Sequence, residues 1–273
     1  MGKFLGKKIN NRSIISIAFS RTWKQFLAID ALRYAICYPR YIYLTKLRHK
    51  LRTMKSIARG THPDTIKYNL RAISDVAVYR SNQLVKPLSV IDPIYSRLED
   101  CKVLSIGPRT EGEILNLVAH GFSLKNIRGL DLISYSPWIN VGDMHNMPYK
   151  DNVFDVVVCG WTLSYSTTPK KVAQEITRVL KDGGIVAIGV TYHPPQEIES
   201  THKMLRQKHN EDFDTLKQMM STRDILTHFS NSVDKVYFNQ DLTEKGKKVG
   251  QNLIVIFSIK KPKTATREVE LKK

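Results

Sequence analysis

The stretch VLSIGPRTEGEIL, residues 103–115, reads as a buried strand that breaks at Gly107 and resumes as a helix. Strand, glycine turn and helix N-terminus together form a cradle for part of a nucleotide. A dinucleotide cradle uses bare backbone amides to hold pyrophosphate, and an acid there repels the ligand. Here the loop carries only Gly107 and Gly112, with Arg109 and Glu111 in places that such a fold fills with glycine. The ligand suited to this loop therefore carries no pyrophosphate, which makes a nicotinamide-dependent dehydrogenase the weakest reading.

Outward from this loop the pattern alternates. NIRGLDL (126–132), FDVVVCG (154–160) and GIVAIGV (184–190) are strand-like, the last two almost wholly apolar, as strands buried on both faces are. EGEILNLVAHG (111–121) is helical and stops at a glycine; TPKKVAQEITRVL (168–180) is amphipathic, with Pro169 near its start and KDGG after it. Helical text follows at 197–208 and 213–229. DKVYFNQ (234–240) and NLIVIFSIK (252–260) come late and close together, which predicts a hairpin with one antiparallel strand at the sheet edge. The expected class is α/β, a doubly wound and mostly parallel sheet.

Ligands in such sheets sit outside the carboxyl ends of the strands. Asp131 ends the second strand, where a carboxylate accepts both hydroxyls of a ribose; a solvated strand-end acid is the plain alternative. Asp143, in GDMHNMPYKDNVFDVVV (142–158), precedes the next strand. Its carboxylate suits an exocyclic amino group, and the following N–H, that of Met144, suits a ring nitrogen, a pairing that reads an adenine edge.

At this point the run 103–190 resembles class I S-adenosylmethionine-dependent methyltransferases of the small-molecule type. GDMHNMPYKDNVFDVVVCGWTLSY is similar to that family's adenine-binding and fourth-strand text, and EITRVLKDGGIVAIG to its next helix, turn and strand. The resemblance implies a Rossmann-like, seven-stranded sheet with a reversed seventh strand, and S-adenosyl-L-methionine as cofactor. It implies that Gly107 admits close backbone approach, Asp131 holds the ribose, and Asp143 with Met144 reads adenine. Arg109, Glu111 and Gly160 complete the expected cofactor set. The loop departs from the family's acid-x-Gly-x-Gly-x-Gly: Ser105 replaces the acid, and Arg109 and Glu111 replace glycines. A sulfonium and an ammonium tolerate Glu111. Arg109 either braces the loop through Glu111 or Glu113, or meets the methionine carboxylate.

Methyl transfer is an in-line displacement at an activated carbon, so positioning supplies much of the acceleration. A hydroxyl acceptor gains from a base as well. His193 and Tyr165, which follow the fifth and fourth strands, are the expected catalytic residues, with Trp161, Ser164 and His145 nearby. No Asp/Asn-Pro-Pro-Tyr/Phe follows the fourth strand, against a nucleobase amine as acceptor. No acid stands there either, against magnesium assistance, and no cluster has metal-ligand spacing. The expected acceptor is a small molecule, a glycan or a lipid-linked group, methylated at oxygen. A noncatalytic methyltransferase-like binding module and an RNA methyltransferase are the alternatives.

The chain's +18 charge is uneven: residues 1–60 hold 14 Lys and Arg against one acid, Asp30. Residues 1–60 are expected to form a basic helical extension of two helices broken at Pro39, and residues 61–273 the methyltransferase domain. Aromatic and leucine positions alternate with Lys and Arg, which suits an anionic membrane surface through residues 1–58. A solvated helical face is the plain alternative, and nucleic acid is a weaker match because no nucleic-acid motif accompanies the charge. The segment is also nearly acid-free, as a mitochondrial leader is, but its aromatics argue against a discarded one. Gly2 without Ser or Thr at position 6 does not support myristoylation, and no run reaches the roughly 18–20 apolar residues of a membrane span. Three widely spaced cysteines, Cys37, Cys101 and Cys159, fit a reducing, cytoplasmic setting. Activity is expected to be the same in EDTA as in magnesium. Loss in EDTA with recovery on adding magnesium would show a metal-assisted site instead.

Overall fold

The computed structural model describes residues 22–55, 65–74, 81–192, 219–242 and 251–261. Residues 22–28 are helical, followed by α1 (Asp30–Ile42), which runs into a π-helical turn at Tyr43–Leu47. Pro39 lies inside α1 and does not end it. Next come β1 (Arg52–Thr53), α2 (Thr65–Ala72) and α3 (Ser81–Leu88). The alternating part holds β2 (Val103–Ile106), α4 (Glu111–Ala119), β3 (Ile127–Asp131), β4 (Ile133–Ser134), β5 (Ile139–Val141), β6 (Phe154–Gly160), α5 (Pro169–Val179) and β7 (Leu180–Thr191). It closes with α6 (Thr222–Thr227), β8 (Val233–Gln240) and β9 (Asn252–Ile259).

Seven strands form one sheet in the order β5-β3-β2-β6-β7-β9-β8, parallel except at β9. Alternate side chains separate onto two buried faces. Val103, Val156, Val158 and Ala187 pack with Leu84, Leu88, Ile114 and Leu117 on one face. Leu104, Val157, Val186 and Val255 pack with Val172, Ile176 and Ile225 on the other. Helices therefore cover both sides, as a parallel sheet requires.

The reversed strand is not at the edge, as the sequence led us to expect. β9 lies between β7 and β8, and it is buried along nearly its whole length, while β8 is exposed and forms the border. The unbroken apolar run LIVIF is the signature of an interior strand, which the pairing of β9 with seven residues of β7 bears out. The KDGG segment is also placed differently. The chain enters β7 directly at Leu180, and the register jumps between Phe154–Leu180 and Val156–Ile185, with Gly183 at φ +71°. Two short features went unforeseen: edge strand β5, and the antiparallel ribbon β1–β4. The expected helix at 197–208 and the first part of that at 213–229 fall outside the described residues, and α6 lies within the rest of the latter.

The basic N-terminal stretch shares the sheet's core. Leu27 and Cys37 have no exposed surface, and with Tyr41 they join the cluster built on α3, α4 and β2. Burying a leucine here removes the helix's inner face from water, worth about 1.5–3 kcal/mol for the side chain. Leu27→Ala should lower unfolding free energy by about 2–5 kcal/mol in urea titration. A change below about 0.5 kcal/mol, the size usual for surface positions, would mean the helix only rests on the domain.

Candidate active site

The carboxyl ends of β2, β3 and β6 open onto one cleft. Its walls include Gly107, Arg109, Asp131, Asp143, Met144, Trp161, Thr162 and Tyr165, with Thr65 and Asn69 from α2. Gly107 has φ +69°, and a Cβ on it would lie 2.1 Å from Thr162 Oγ1. Thr162 itself is tied to the strand ends, its hydroxyl donating to Gly160 O at 3.0 Å and Ile106 O at 3.3 Å. Only glycine leaves the loop its conformation and its closeness to the β6 end. Gly107 N–H donates to Leu130 O at 2.8 Å, which fixes the loop against β3.

Asp131 lies at the end of β3 and is 5% exposed. One oxygen accepts the Ile133 N–H at 3.2 Å. Burial pushes its carboxyl up to about 6, opposed by the Ile133 N–H and the charge of Arg109. Arg109 lies across the ring of Tyr68, 5.2 Å from its centroid, and its buried Nε has no hydrogen-bond partner. The cleft thus holds a desolvated carboxylate and an orphaned guanidinium N–H beside a glycine loop. That donor set fits a ribose diol at Asp131 and a ligand carboxylate at Arg109. Leu130, Leu132, Met144 and Trp161 add apolar walls suited to a flat base.

Asp143 is held by a buried relay. Its Oδ1 accepts the His145 N–H at 2.8 Å and lies 2.6 Å from His145 Nδ1. His145 Nε2 lies 2.7 Å from Ser166 Oγ, which accepts the Thr168 N–H at 3.0 Å. Asp, His and Ser in this order form the relay of serine hydrolases. Ser166, however, has no exposed surface, so no substrate carbonyl reaches it, and the relay instead orients Asp143. A second clamp comes from α5. Glu175 accepts the Met147 N–H at 2.7 Å, and Arg178 donates to Met147 O at 3.0 Å and Tyr149 O at 2.7 Å. Glu175 and Arg178 also pair with each other, which depresses the Glu175 carboxyl below its ordinary range. The sequence offered one sign of this clamp, an acid–base pair at i, i+3 on an amphipathic helix, which usually means only helix support.

The structure brings together Gly107, Arg109, Asp131, Asp143, Met144 and Tyr165. Two residues of the expected cofactor set do not line this cleft. Glu111 is fully buried and turned toward α1, where Arg40 takes both its oxygens at 2.7 and 3.0 Å. That also corrects the expectation that Arg109 braces the loop through Glu111. Gly160 borders a separate small pocket with Ser81, Ser105 and Glu113, and Trp161 lines both that pocket and the cleft. Trp161, a bulky residue at φ +57°, forms a wall of the cleft, its indole donating to Asn252 at 2.8 Å. Tyr165 stacks near Tyr68 at 6.1 Å. His193 lies outside the described residues.

Asp131 makes ligand binding pH-dependent with a definite sign. Its folded-state value is raised, so its contribution to stability is present at low pH and fades as pH rises through about 6. Two hydroxyl donors favour the ionised form, so a bound diol draws the proton off. Affinity for S-adenosylmethionine should therefore rise with pH up to about 6 and then level, with a slope of at most about tenfold per pH unit. Calorimetry from pH 5 to 8 reads this, and Asp131→Asn should flatten it. A flat profile in the wild type would remove Asp131 from the diol site.

Residues 112–188 match the methyltransferase domain family, a stretch running from α4 into β7. The chain is similar in fold to one from the Haloferax volcanii complex between the Trm112 methyltransferase activator and a candidate methyltransferase. That alignment covers 74% of this chain and 98% of the other, at 18% identity and a TM-score of 0.51. It is similar also to the 4+2 cyclase SpnF, over 77% and 99% of the two chains, at 13% identity and a TM-score of 0.54. A methyltransferase dependent on the same cofactor, from Thermotoga maritima, aligns over 71% and 95% at 16% identity, with a TM-score of 0.46. No curated protein sequence matches. Domain match and strand order agree with the cleft's fit to the cofactor: residues 112–188 carry a methyltransferase domain, set in a Rossmann-like sheet whose cofactor is S-adenosylmethionine.

Proposed function

We propose that the chain methylates an oxygen of a small-molecule, glycan or lipid-linked acceptor, and that residues 1–58 hold it on an anionic membrane surface at the cytoplasmic side. One observation carries the membrane reading: beside the face it buries in the core, the N-terminal helix presents a second apolar face outward. Trp23, Phe26, Ile29, Tyr34, Tyr38 and Tyr43 are 39–53% exposed. The four charged side chains from 22 to 43 are instead engaged by the protein: Lys24 with Glu99, Arg33 with Asp30, and Arg40 with Glu111. Exposed Lys46, Arg48, Lys50, Arg52 and Lys55 follow directly. An aromatic face with a basic end matches an interfacial helix lying in the headgroup region. Among the described residues, no helix is long and apolar enough to cross a membrane.

S-Adenosylmethionine supplies a methyl carbon already activated by its sulfonium. The chain's own residues position the acceptor and take its proton. Tyr165, on the cleft wall, and His193, two residues past β7 in the sequence, are the groups proposed to act on the acceptor hydroxyl. The bond formed is oxygen to methyl carbon, the bond broken is sulfur to methyl carbon, and the hydroxyl proton passes to the base.

Two assays test this. Labelled methyl groups offered with fractionated cell extract should enter the lipid or glycan fraction; label confined to RNA would favour the nucleic-acid alternative. Full-length protein should float with phosphatidylserine vesicles at low salt and loosen as salt rises, each basic residue near the surface adding about 1 kcal/mol. A Trp23→Ser, Phe26→Ser, Tyr38→Ser triple variant should float less while unfolding as the wild type does. Deletion is a poorer test, since Leu27, Cys37 and Tyr41 belong to the core. Equal flotation of triple variant and wild type would assign the face to another partner.

A further inference from the structure

The outward-facing helix and the cofactor loop meet at one buried carboxylate. Glu111 has no exposed surface and opens α4 immediately after the loop that carries Gly107 and Arg109. Buried carboxylates need matched donors. Here Oε2 accepts Arg40 Nε at 2.7 Å, and Oε1 accepts Arg40 Nη2 at 3.0 Å and Ser136 Oγ at 2.8 Å. The Glu111 N–H donates to the Tyr135 hydroxyl at 3.3 Å, and Tyr41 packs edge-on against that ring at 5.4 Å. The Arg40 guanidinium also covers the Trp138 ring at 4.7 Å. Two consecutive residues of α1 therefore grip both segments that carry cleft groups: the loop with Arg109, and the stretch that follows Asp131. No other described side chain donates to Glu111 with two nitrogens.

We propose that Arg40 is a positioning residue for the cofactor, holding the first loop through Glu111 so that Arg109 meets the methionine end. The proposal rests on the cofactor assignment above. It makes the helix with the outward aromatic face part of the cofactor site's frame, and it explains why this loop carries an acid where its relatives by resemblance carry glycine.

The test uses the full chain in two variants. Arg40→Met/Glu111→Met replaces the pair with apolar groups and leaves no unmatched charge. Arg40→Lys keeps the charge and loses the bidentate fork. Dissociation constants for S-adenosylmethionine and for adenosine are measured by calorimetry, with thermal unfolding as a control. Adenosine engages the Asp131 and Asp143 end and lacks the methionine. The double variant should bind S-adenosylmethionine about tenfold more weakly, the loss expected of one charge-assisted contact, with adenosine unchanged. Arg40→Lys, which reads the same effect even if the double variant fails to fold, should show a smaller loss in the same direction. Equal weakening of both ligands would mean general loosening, and unchanged binding of both would mean no positioning; either result overturns the proposal. A wild type that binds adenosine but not S-adenosylmethionine would overturn the cofactor assignment itself.

Discussion

A carboxylate with no exposed surface stands one residue beyond the cofactor loop, and the arrangement of the N-terminal half follows from matching it. An unmatched ion there would cost several kcal/mol. Arg40 and Ser136 supply the donors, so α1 must lie against α4 and the segment after β3 must fold back beneath both. Once α1 is so placed, Leu27, Cys37 and Tyr41 enter the core, and the helix's aromatic side is left facing outward. Inner charges and outer aromatics are two consequences of a single placement.

The cleft shows the complementary economy of charge. Asp131 is desolvated and reluctant to ionise, Arg109 has a nitrogen without a partner, and Asp143 is oriented by His145. Groups of this kind are costly in an empty protein and favourable when a ligand with the right donors and acceptors replaces water. The clamp from Glu175 and Arg178 holds the turn that carries Asp143, at Met147 and Tyr149. The same fold in a cyclase shows that the scaffold alone does not dictate the reaction. The chemistry belongs to these placed groups.

Much of this was legible in the sequence because it depends on local pattern. Apolar runs, helical amphipathicity and glycine or proline punctuation gave β2, β3, β6, β7, α4 and α5, and strand-end acids gave Asp131 and Asp143. What was not legible depends on tertiary partners. Glu111 looked like a ligand group because its partner, Arg40, lies 71 residues away. Gly160 looked like part of the cleft because Trp161, which lines the space on both sides, takes a positive φ that a bulky residue rarely adopts. β5 was hidden because three residues carry no periodicity, and β9 was misplaced because an apolar run says buried without saying between which neighbours. The N-terminal segment read as a basic, membrane-facing extension, and its share in the core was hidden because Arg33 and Arg40 are matched by Asp30 and Glu111 only in the folded chain.

A crystal structure of the full chain with S-adenosylhomocysteine tests the central claim most directly. The ribose hydroxyls should donate to Asp131, the adenine amino group should face Asp143, and the ligand carboxylate should meet Arg109 while Glu111 stays paired with Arg40. A ligand whose amino group had drawn Glu111 away from Arg40, or one seated outside this cleft, would contradict it.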